Sequence, residues 1–265
     1  MINLVVWSAT AWFMFPILWQ VLSSIKPPIE VTASPPVWIF TPSSESWYNF
    51  FVTKRGLGHV VNSIIVTGST TIISIALGSL AAYGLARFKF KGRDSLSMDF
   101  LSFRMFPPIV VAIPLFILFQ SAGLKNTYLG LILAHTTFNL PYAVWLLRGF
   151  FMELSPEIEG ASLVDGCSRL SFFWRILLPL STPGIVTATI FCYILSWNEF
   201  MFASLLSSQE TSTLPVFSAS LLEHYQMDWG LFSVACVVTA VPAIILMLFL
   251  EKYVIRGLTY GAIKG

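Results

Sequence analysis

The sequence predicts an all-α polytopic membrane protein with six transmembrane helices. Apolar residues make up 56% of the 265 positions and charged residues only 11%, against about 45–50% and 25% in soluble domains. A helix needs about 20 apolar residues to cross the hydrocarbon core, and six stretches satisfy this: 4–25, 60–86, 98–120, 128–147, 182–206 and 231–250. Backbone groups in lipid must bond internally, and no barrel-like alternation is visible, so each stretch is expected to be helical.

Lysine and arginine are spread unevenly over the connecting segments. With the N-terminus inside, the inner segments carry ten of these residues and the outer segments four, while Arg104 lies within a span. The positive-inside rule therefore predicts that both termini are cytoplasmic. The net charge of +2 is too small to indicate nucleic-acid binding.

The first apolar stretch is expected to be a retained span, because it is long, lacks a basic start and is not followed by a small-residue cleavage site. The loop after it, residues 26–59, is rich in Pro, Ser and Trp and is either an ordered outer cap or an ordinary linker. Three cysteines, two of them within spans, argue against a disulfide framework: Cys167, Cys192 and Cys236.

Small residues in the second span (Gly68, Gly78, Ser79, Ala81, Ala82 and Gly84) indicate a helix that packs closely against other helices. The third span contains Pro107, Pro108 and Pro114, which predict a kinked or broken helix. Arg104, near the inner end of that span, either extends to the cytoplasmic surface or lines a transport pathway.

Polar residues in the fourth and fifth spans are the other intramembrane candidates. His135 and Asn139 are interpreted as helix-packing residues. In the fifth span a carboxylate, an amide and aromatic faces would suit the hydroxyl groups and apolar faces of a sugar ring. The alternative is that these polar residues form hydrogen bonds between helices. This candidate pathway group is Trp197, Asn198, Glu199 and Phe200.

The polar segment after the fourth span predicts two short helices. Ser155, Pro156 and Glu157 form a helix start, and the helix is expected to stop at Asp165–Gly166. Ser168 would cap a second helix that ends before Pro179. The two helices would form a compact helix-turn-helix if Ile158, Ala161 and Leu163 packed against Leu170 and Phe173. The spacing alone also fits a simple turn at Asp165–Gly166.

The run from Glu157 to Ser168, continuing through Phe172 to Pro183, resembles the EAA loop of ABC importer permeases. In that family the loop forms a coupling helix seated on a cytoplasmic ATPase subunit. With Asp165–Gly166 as the anchor, the Glu-Ala-Ala pattern falls on Gly160-Ala161-Ser162, so its Glu is replaced and Glu159 stands one position earlier. The resemblance implies ATPase contacts at Glu157, Glu159, Gly160, Ala161, Ser162, Asp165, Gly166, Phe172 and Pro179.

Segments elsewhere are similar to permeases of carbohydrate importers of the maltose type, with their type I ABC importer permease fold. These segments are 196–200 and the ending 256–265. The resemblance implies a tail contact with the ATPase through Tyr260, Gly261 and Lys264. In the outer loop 207–230 it implies that a binding protein is contacted by Leu214, Pro215, Glu223, His224 and Tyr225. The alternative for this loop is an interfacial half-helix.

The resemblance also implies the partners and the location. They are a second homologous permease, two ATPase subunits that hold ATP and Mg²⁺, an extracytoplasmic solute-binding protein and a carbohydrate, in a bacterial-type cytoplasmic membrane. The expected division is a first helix and outer loop (1–57), a transport core (58–251) that includes the coupling loop 153–181, and a cytoplasmic tail (252–265).

No G-x-x-x-x-G-K-[ST] phosphate loop is present, so the chain itself is not expected to hydrolyse ATP or to carry a cofactor or metal. An ion- or proton-coupled secondary carrier is the alternative, but it would favour paired intramembrane carboxylates or an inverted repeat, and only Glu199 is found. A membrane enzyme would need clustered His, Asp or Cys, whereas His59, His135 and His224 are scattered.

Overall fold

Helices form every regular element in the part of the chain that the structure describes. The structure, a computed structural model, describes residues 2–105, 107–222 and 227–262, with side chains except at positions 2, 101, 104 and 250–262. The α-helices are α1 Ile2–Ser24, α2 Pro28–Val31, α3 Glu45–Tyr48, α4 Gly56–Arg87, α5 Arg93–Ser102, α6 Pro108–Ser121, α7 Tyr128–Glu153, α8 Pro156–Val164, α9 Arg169–Phe172, α10 Leu178–Leu180, α11 Thr182–Trp197, α12 Met201–Leu206, α13 Leu214–Ser220 and α14 Trp229–Ala262. Two π-helical turns, Asn49–Thr53 and Phe173–Leu177, and a 3₁₀ turn, Phe103–Met105, connect some of them.

The all-helical membrane fold is confirmed, but the described residues do not form six uninterrupted spans. Among them, four helices are long and apolar enough to cross a membrane: Asn3–Ser24, Gly56–Arg87, Tyr128–Glu153 and Trp229–Phe249. A fifth span would combine Arg169–Leu180 and Thr182–Trp197, which bend by 79° at their junction. The predicted third span is divided into α5, the 3₁₀ turn and the shorter apolar helix α6, because Pro107 and Pro108 remove two consecutive backbone donors.

The chain forms two compact units, of which the first comprises Met1–Ser63 and Ser212–Ile244. Within it the start of α4 holds the start of α13. Ser63 Oγ accepts a hydrogen bond from Leu214 N (2.7 Å), and Asn62 Nδ2 donates to Ser212 O (2.9 Å). The rings of His59 and Phe217 stack with their centroids 4.2 Å apart.

The second unit, Ile64–Thr211 with Ile245–Gly265, contains closely packed helices. A Cβ atom at Gly78 would lie 2.8 Å from Ala143 Cβ, so α4 and α7 approach as the small residues predicted. Gly184 lets α11 approach Phe150 of α7 in the same way. The core of this unit joins α4, α7, α11 and the segment after α8, and its buried residues include Tyr83, Leu147, Phe151, Phe172, Phe173 and Leu177.

Candidate coupling site and the polar cluster of the helix bundle

Helix α8 begins as its sequence predicts. Ser155 Oγ accepts a hydrogen bond from Glu157 N (3.2 Å), and Pro156 occupies the first helical position. Proline is well placed there, because its missing N–H would have no partner within the helix. Glu157 and Glu159 in the first turn interact favourably with the positive end of the helix dipole.

The end of α8 is a Schellman motif. Cys167 N donates to Ser162 O (2.9 Å) and Gly166 N donates to Leu163 O (3.1 Å), which satisfies two carbonyls at the end of the helix. Gly166 has φ +87°, a conformation that an L side chain disfavours. The predicted stop at Asp165–Gly166 is therefore confirmed, with Asp165 as the C-cap.

The second short helix also starts where predicted, but it does not end before Pro179. Ser168 Oγ accepts from Ser171 N (3.2 Å) and caps α9. Helical structure then continues through the π turn 173–177 into α10, which contains Pro179. The wider π turn, closed by Leu178 N donating to Phe173 O, accommodates the proline ring and its missing donor without ending the helix.

Glu159 fastens α8 to the end of α4. Its Oε1 accepts a hydrogen bond from the Tyr83 hydroxyl (3.0 Å), and its Oε2 lies 3.4 Å from Arg87 Nε. The side chains of Arg87 and Glu159 are only 6% and 13% exposed. Arg87 also donates to Leu154 O (2.9 Å), so one guanidinium holds both the chain entering α8 and a carboxylate within it.

Two aromatic residues behind α8 are buried in the unit's core. Phe172 and Phe173 lie against Tyr83, with ring centroids 6.3 and 5.4 Å from it. Phe172 therefore lies inside the protein, where it supports the segment 153–181 from its buried side. Arg169 lies over the ring of Phe88, with its guanidinium carbon 4.8 Å from the centroid, a cation–π contact between α9 and the residue that follows α4.

The segment 153–181 also carries exposed apolar side chains. The predicted packing of Ile158 and Leu163 against Leu170 does not bury these residues, because Leu170 is 63% exposed and Leu163 39%. Phe173 instead packs into the core. We call the exposed group the coupling surface, and its members are Ile158, Leu163, Val164 and Leu170.

Polar and small residues complete the segment. Ser162 is buried, and its hydroxyl donates to Glu159 O (2.8 Å). The remaining candidates from the sequence are exposed: Glu157, Gly160, Ala161, Asp165, Gly166 and Pro179. The segment is thus rigid on its inner side and apolar with acidic neighbours on its outer side.

A second group of polar residues lies within the helix bundle. Glu199 accepts hydrogen bonds from Phe202 N (2.9 Å) and Ala203 N (3.0 Å), one at each carboxylate oxygen. His135 Nε2 lies 3.3 Å from Glu199 Oε2, and His135 Nδ1 lies 2.8 Å from Ser196 Oγ. We call His135, Ser196 and Glu199 the bundle cluster.

Comparison with known proteins identifies the family. Residues 74–260 match the family model described as binding-protein-dependent transport system inner membrane component. The chain belongs to this family of transport permeases. It is 37% identical over 254 residues to the probable ABC transporter permease protein YurM of Bacillus subtilis, covering 95% of this chain and 84% of YurM.

One further relative agrees with this family membership, and one solved structure shares the fold. The trehalose/maltose transport system permease protein MalG of Thermococcus litoralis is 32% identical over 257 residues, which is 95% of this chain and 92% of MalG. A bacterial ABC transporter involved in import of the acidic polysaccharide alginate has the same fold, with a TM-score of 0.78 at 22% identity and 95% coverage of both chains. The fold is therefore that of ABC importer permeases.

The other candidate residues of this permease are placed as follows. Trp197 is buried and stacks on Tyr193, whereas Asn198 and Phe200 are exposed. Leu214 is buried at the start of α13 and Pro215 follows it in the first turn. Only the backbone is described at Arg104, Tyr260 and Gly261, and four candidates lie outside the described residues: Glu223, His224, Tyr225 and Lys264.

Sequence patterns did not indicate that Tyr83 and Arg87 contact the segment 153–181. Arg87 was visible only as one of the inner basic residues, and its distance of about 70 positions from Glu159 in the chain concealed the pairing. One signal could have identified the Arg87–Glu159 pair. Arg87 is a basic residue at the inner end of a span, and the segment that contains Glu159 carries acidic residues on the same expected side of the membrane. In the described residues no group of three or more His, Cys, Asp or Glu side chains is arranged to hold a metal ion.

Proposed function

We propose that the chain is the permease subunit through which an ATP-driven importer moves a sugar, polyol or related carbohydrate across the cytoplasmic membrane. Family membership supports a transport role. The names of the MalG relative and of the alginate transporter refer to carbohydrates, which supports this class of solute. The core of the transporter is residues 58–251.

The segment 153–181 couples this subunit to a cytoplasmic ATPase, and its geometry is the observation that carries the proposal. Arg87 and Tyr83 fasten Glu159 to α4, and Phe172 and Phe173 fasten the following segment to the same helix. Movement imposed on α8 is thus transmitted to a membrane-spanning helix, since closely packed contacts do not deform continuously.

The coupling surface is the part that meets the partner. Val164 is 88% exposed and Leu170 63%, in a segment that the charge distribution puts on the cytoplasmic side. An exposed apolar patch with polar neighbours is typical of a protein interface. Because Glu159 is already occupied by Arg87 and Tyr83, docking depends on shape and apolar contact more than on that carboxylate.

The remaining partners follow from this assignment. A second, homologous permease completes the pathway, two ATPase subunits bind ATP and Mg²⁺, and an extracytoplasmic binding protein delivers the solute near α13. Both termini lie in the cytoplasm, where Tyr260, Gly261 and Lys264 of the tail contact the ATPase. No nucleic acid is involved, given the small net charge.

Reconstitution tests the proposal. The chain is co-expressed with its partner permease, ATPase and binding protein, purified, and placed in liposomes with ATP inside. Carbohydrate-loaded binding protein should stimulate ATP hydrolysis and uptake of labelled carbohydrate together. Uptake driven by a proton or sodium gradient without ATP, or an active transporter that contains no ATPase subunit, would contradict the proposal.

A further inference from the structure

The break between α11 and α12 is closed by one side chain. Helix α11 ends at Trp197 and α12 starts at Met201, so only residues 198–200 join them. Glu199 accepts from Phe202 N and Ala203 N, with one oxygen for each. These donors belong to the first turn of α12 and would otherwise have no partner within the helix. Bonds from N–H groups to a carboxylate are stronger than those to a neutral acceptor.

Helix α7 holds this junction from the other side. His135 is fully buried, and its two ring nitrogens lie 2.8 Å from Ser196 Oγ and 3.3 Å from Glu199 Oε2. Phe138, three residues further along α7, stacks on Phe202 with the ring centroids 5.8 Å apart. The far end of α12 is held as well, since Leu206 O accepts from Asn126 N (2.8 Å).

The anchored junction fixes which neighbouring side chains face outward. Trp197 is 1% exposed and the Glu199 side chain 11%, whereas Phe200 is 47% exposed and Asn198 is also exposed. Asn198 Nδ2 donates to Ile194 O (2.9 Å), and its amide oxygen is an acceptor suited to a hydroxyl group. An amide beside an aromatic face is a pair that suits a carbohydrate.

We propose that Glu199 is a positioning residue, which holds the α11–α12 junction so that Asn198 and Phe200 contact the transported carbohydrate. This inference rests on the proposed function. It assigns Glu199 an internal role, because both its oxygens are engaged by the backbone of α12, and it assigns recognition of the solute to the two exposed neighbours.

Thiol labelling tests the positioning without any transport. In a background with Cys167, Cys192 and Cys236 replaced by alanine, Phe200→Cys is labelled with a water-soluble maleimide. Glu199→Ala should change the labelling rate about tenfold, the ratio that corresponds to one lost capping hydrogen bond. Glu199→Gln should have a smaller effect, because its amide oxygen still accepts from one N–H. Equal rates in all three proteins would overturn the inference.

A matched control separates a change at position 200 from a general change in thiol labelling. Ser44→Cys lies in the exposed loop before α3, and its labelling rate should be the same in the protein with unaltered Glu199 and in the Glu199→Gln and Glu199→Ala variants. The same rates at position 44 show that the reactivity of the maleimide and the exposure of this loop are unchanged. A change confined to position 200 then supports the local role of Glu199.

Solute selectivity tests the consequence. Uptake of two carbohydrates that differ by one hydroxyl group is compared in the reconstituted importer, with Glu45→Gln as an exposed carboxylate control. Glu199→Ala should change the ratio of the two uptake rates by about threefold or more, because a displaced hydrogen-bonding group alters discrimination at that hydroxyl. Equal losses for both solutes would show a merely structural role and overturn the inference. If the unaltered importer moved no carbohydrate, the proposed function would fail, while the labelling rates would still decide the positioning of residue 200.

Discussion

At the scale of single residues, Gly166 determines how α8 ends. Its φ of +87° is a left-handed conformation, which disfavours an L residue by about 1–2 kcal/mol. Gly166→Ala should therefore destabilise the coupling segment by about that amount and reduce the carbohydrate imported per ATP hydrolysed. The loss of stability is measured by thermal unfolding, with the reaction of buried Cys192 with a fluorescent maleimide as the signal. The loss of coupling is measured as the ratio of transport to ATP hydrolysis.

Gly149→Ala is the matched control for this substitution. A Cβ atom added at either glycine meets no other atom within 4 Å, and both positions are exposed, but Gly149 lies within α7 and has no positive φ. It should unfold at an unchanged or slightly higher temperature, since alanine favours helix over glycine. Equal effects at the two positions would mean that backbone conformation at Gly166 is not what matters.

The pair Arg87–Glu159 gives a second residue-scale prediction. Both side chains are largely buried, and removing one partner of a buried ion pair costs about 3–5 kcal/mol because the other charge is left uncompensated. Arg87→Met should thus destabilise the protein more than the double variant Arg87→Met/Glu159→Gln does. A double-mutant cycle of unfolding free energies measures the difference.

An exposed ion pair serves as the reference for that cycle. Asp94 pairs with Arg93 and Arg148, but its side chain is 76% exposed, so Asp94→Asn should cost only about 0–1 kcal/mol. Strictly additive effects at Arg87 and Glu159 would show that they do not fasten α8 to α4.

How much a sequence shows at this scale depends on the range of the interaction. Ser155, Ser168 and Gly166 act on backbone atoms two or three positions away, so capping rules placed them correctly. Glu159 acts on Arg87 and Tyr83, which only folding brings near. For Glu199 the sequence left a solute contact and helix–helix hydrogen bonding both open. Its bonds to Phe202 N and Ala203 N are local, whereas its approach to His135 arises only on folding.

At the scale of elements, the coupling surface should behave as a binding interface. Val164 is 88% exposed at the end of α8, so Val164→Asp should leave the fold intact. Burying that carboxylate without a partner in an apolar interface is unfavourable by at least about 1–3 kcal/mol. The amount of ATPase subunit that co-purifies with the permease should fall about tenfold or more, with transport falling in parallel.

Val52→Asp is the corresponding control in another element. Val52 is 55% exposed in the π turn after α3, on the side opposite to the cytoplasm in the expected topology. The same chemical change there should not alter ATPase recovery. If both variants retained the ATPase, or both lost it, the coupling surface would not be the docking element.

Prolines show where element-level prediction works and where it fails. Pro107 and Pro108 ended a helix as expected, because consecutive prolines interrupt regular hydrogen bonding. Pro179 did not, because the preceding π turn already shifts the bonding pattern and removes the need for its N–H. Such a turn depends on the packing of Phe173 and Leu177 in the core, which local sequence rules do not describe.

At the scale of the whole molecule, hydropathy predicted the class and the relatives agree with it. The number of continuous spans was less predictable, because hydropathy sums over a window and ignores breaks inside it. The stretches 98–120 and 182–206 are both apolar enough, yet the helices within them end at Met105 and Trp197 and resume at Pro108 and Met201. Broken helices of this kind are tolerated where protein or water satisfies the freed groups.

Orientation is the property of the whole molecule on which the coupling role depends, and the native thiols can determine it. Cys167 stands just beyond the C-terminal cap of α8 and is half-buried, whereas Cys192 is fully buried. The positive-inside rule puts Cys167 in the cytoplasm and residue 44 outside. In right-side-out vesicles, a membrane-impermeant maleimide should label Ser44→Cys at once and Cys167 only after permeabilisation. Labelling of Cys167 in sealed vesicles would put α8 on the outer side, where no cytoplasmic ATPase could reach the coupling surface.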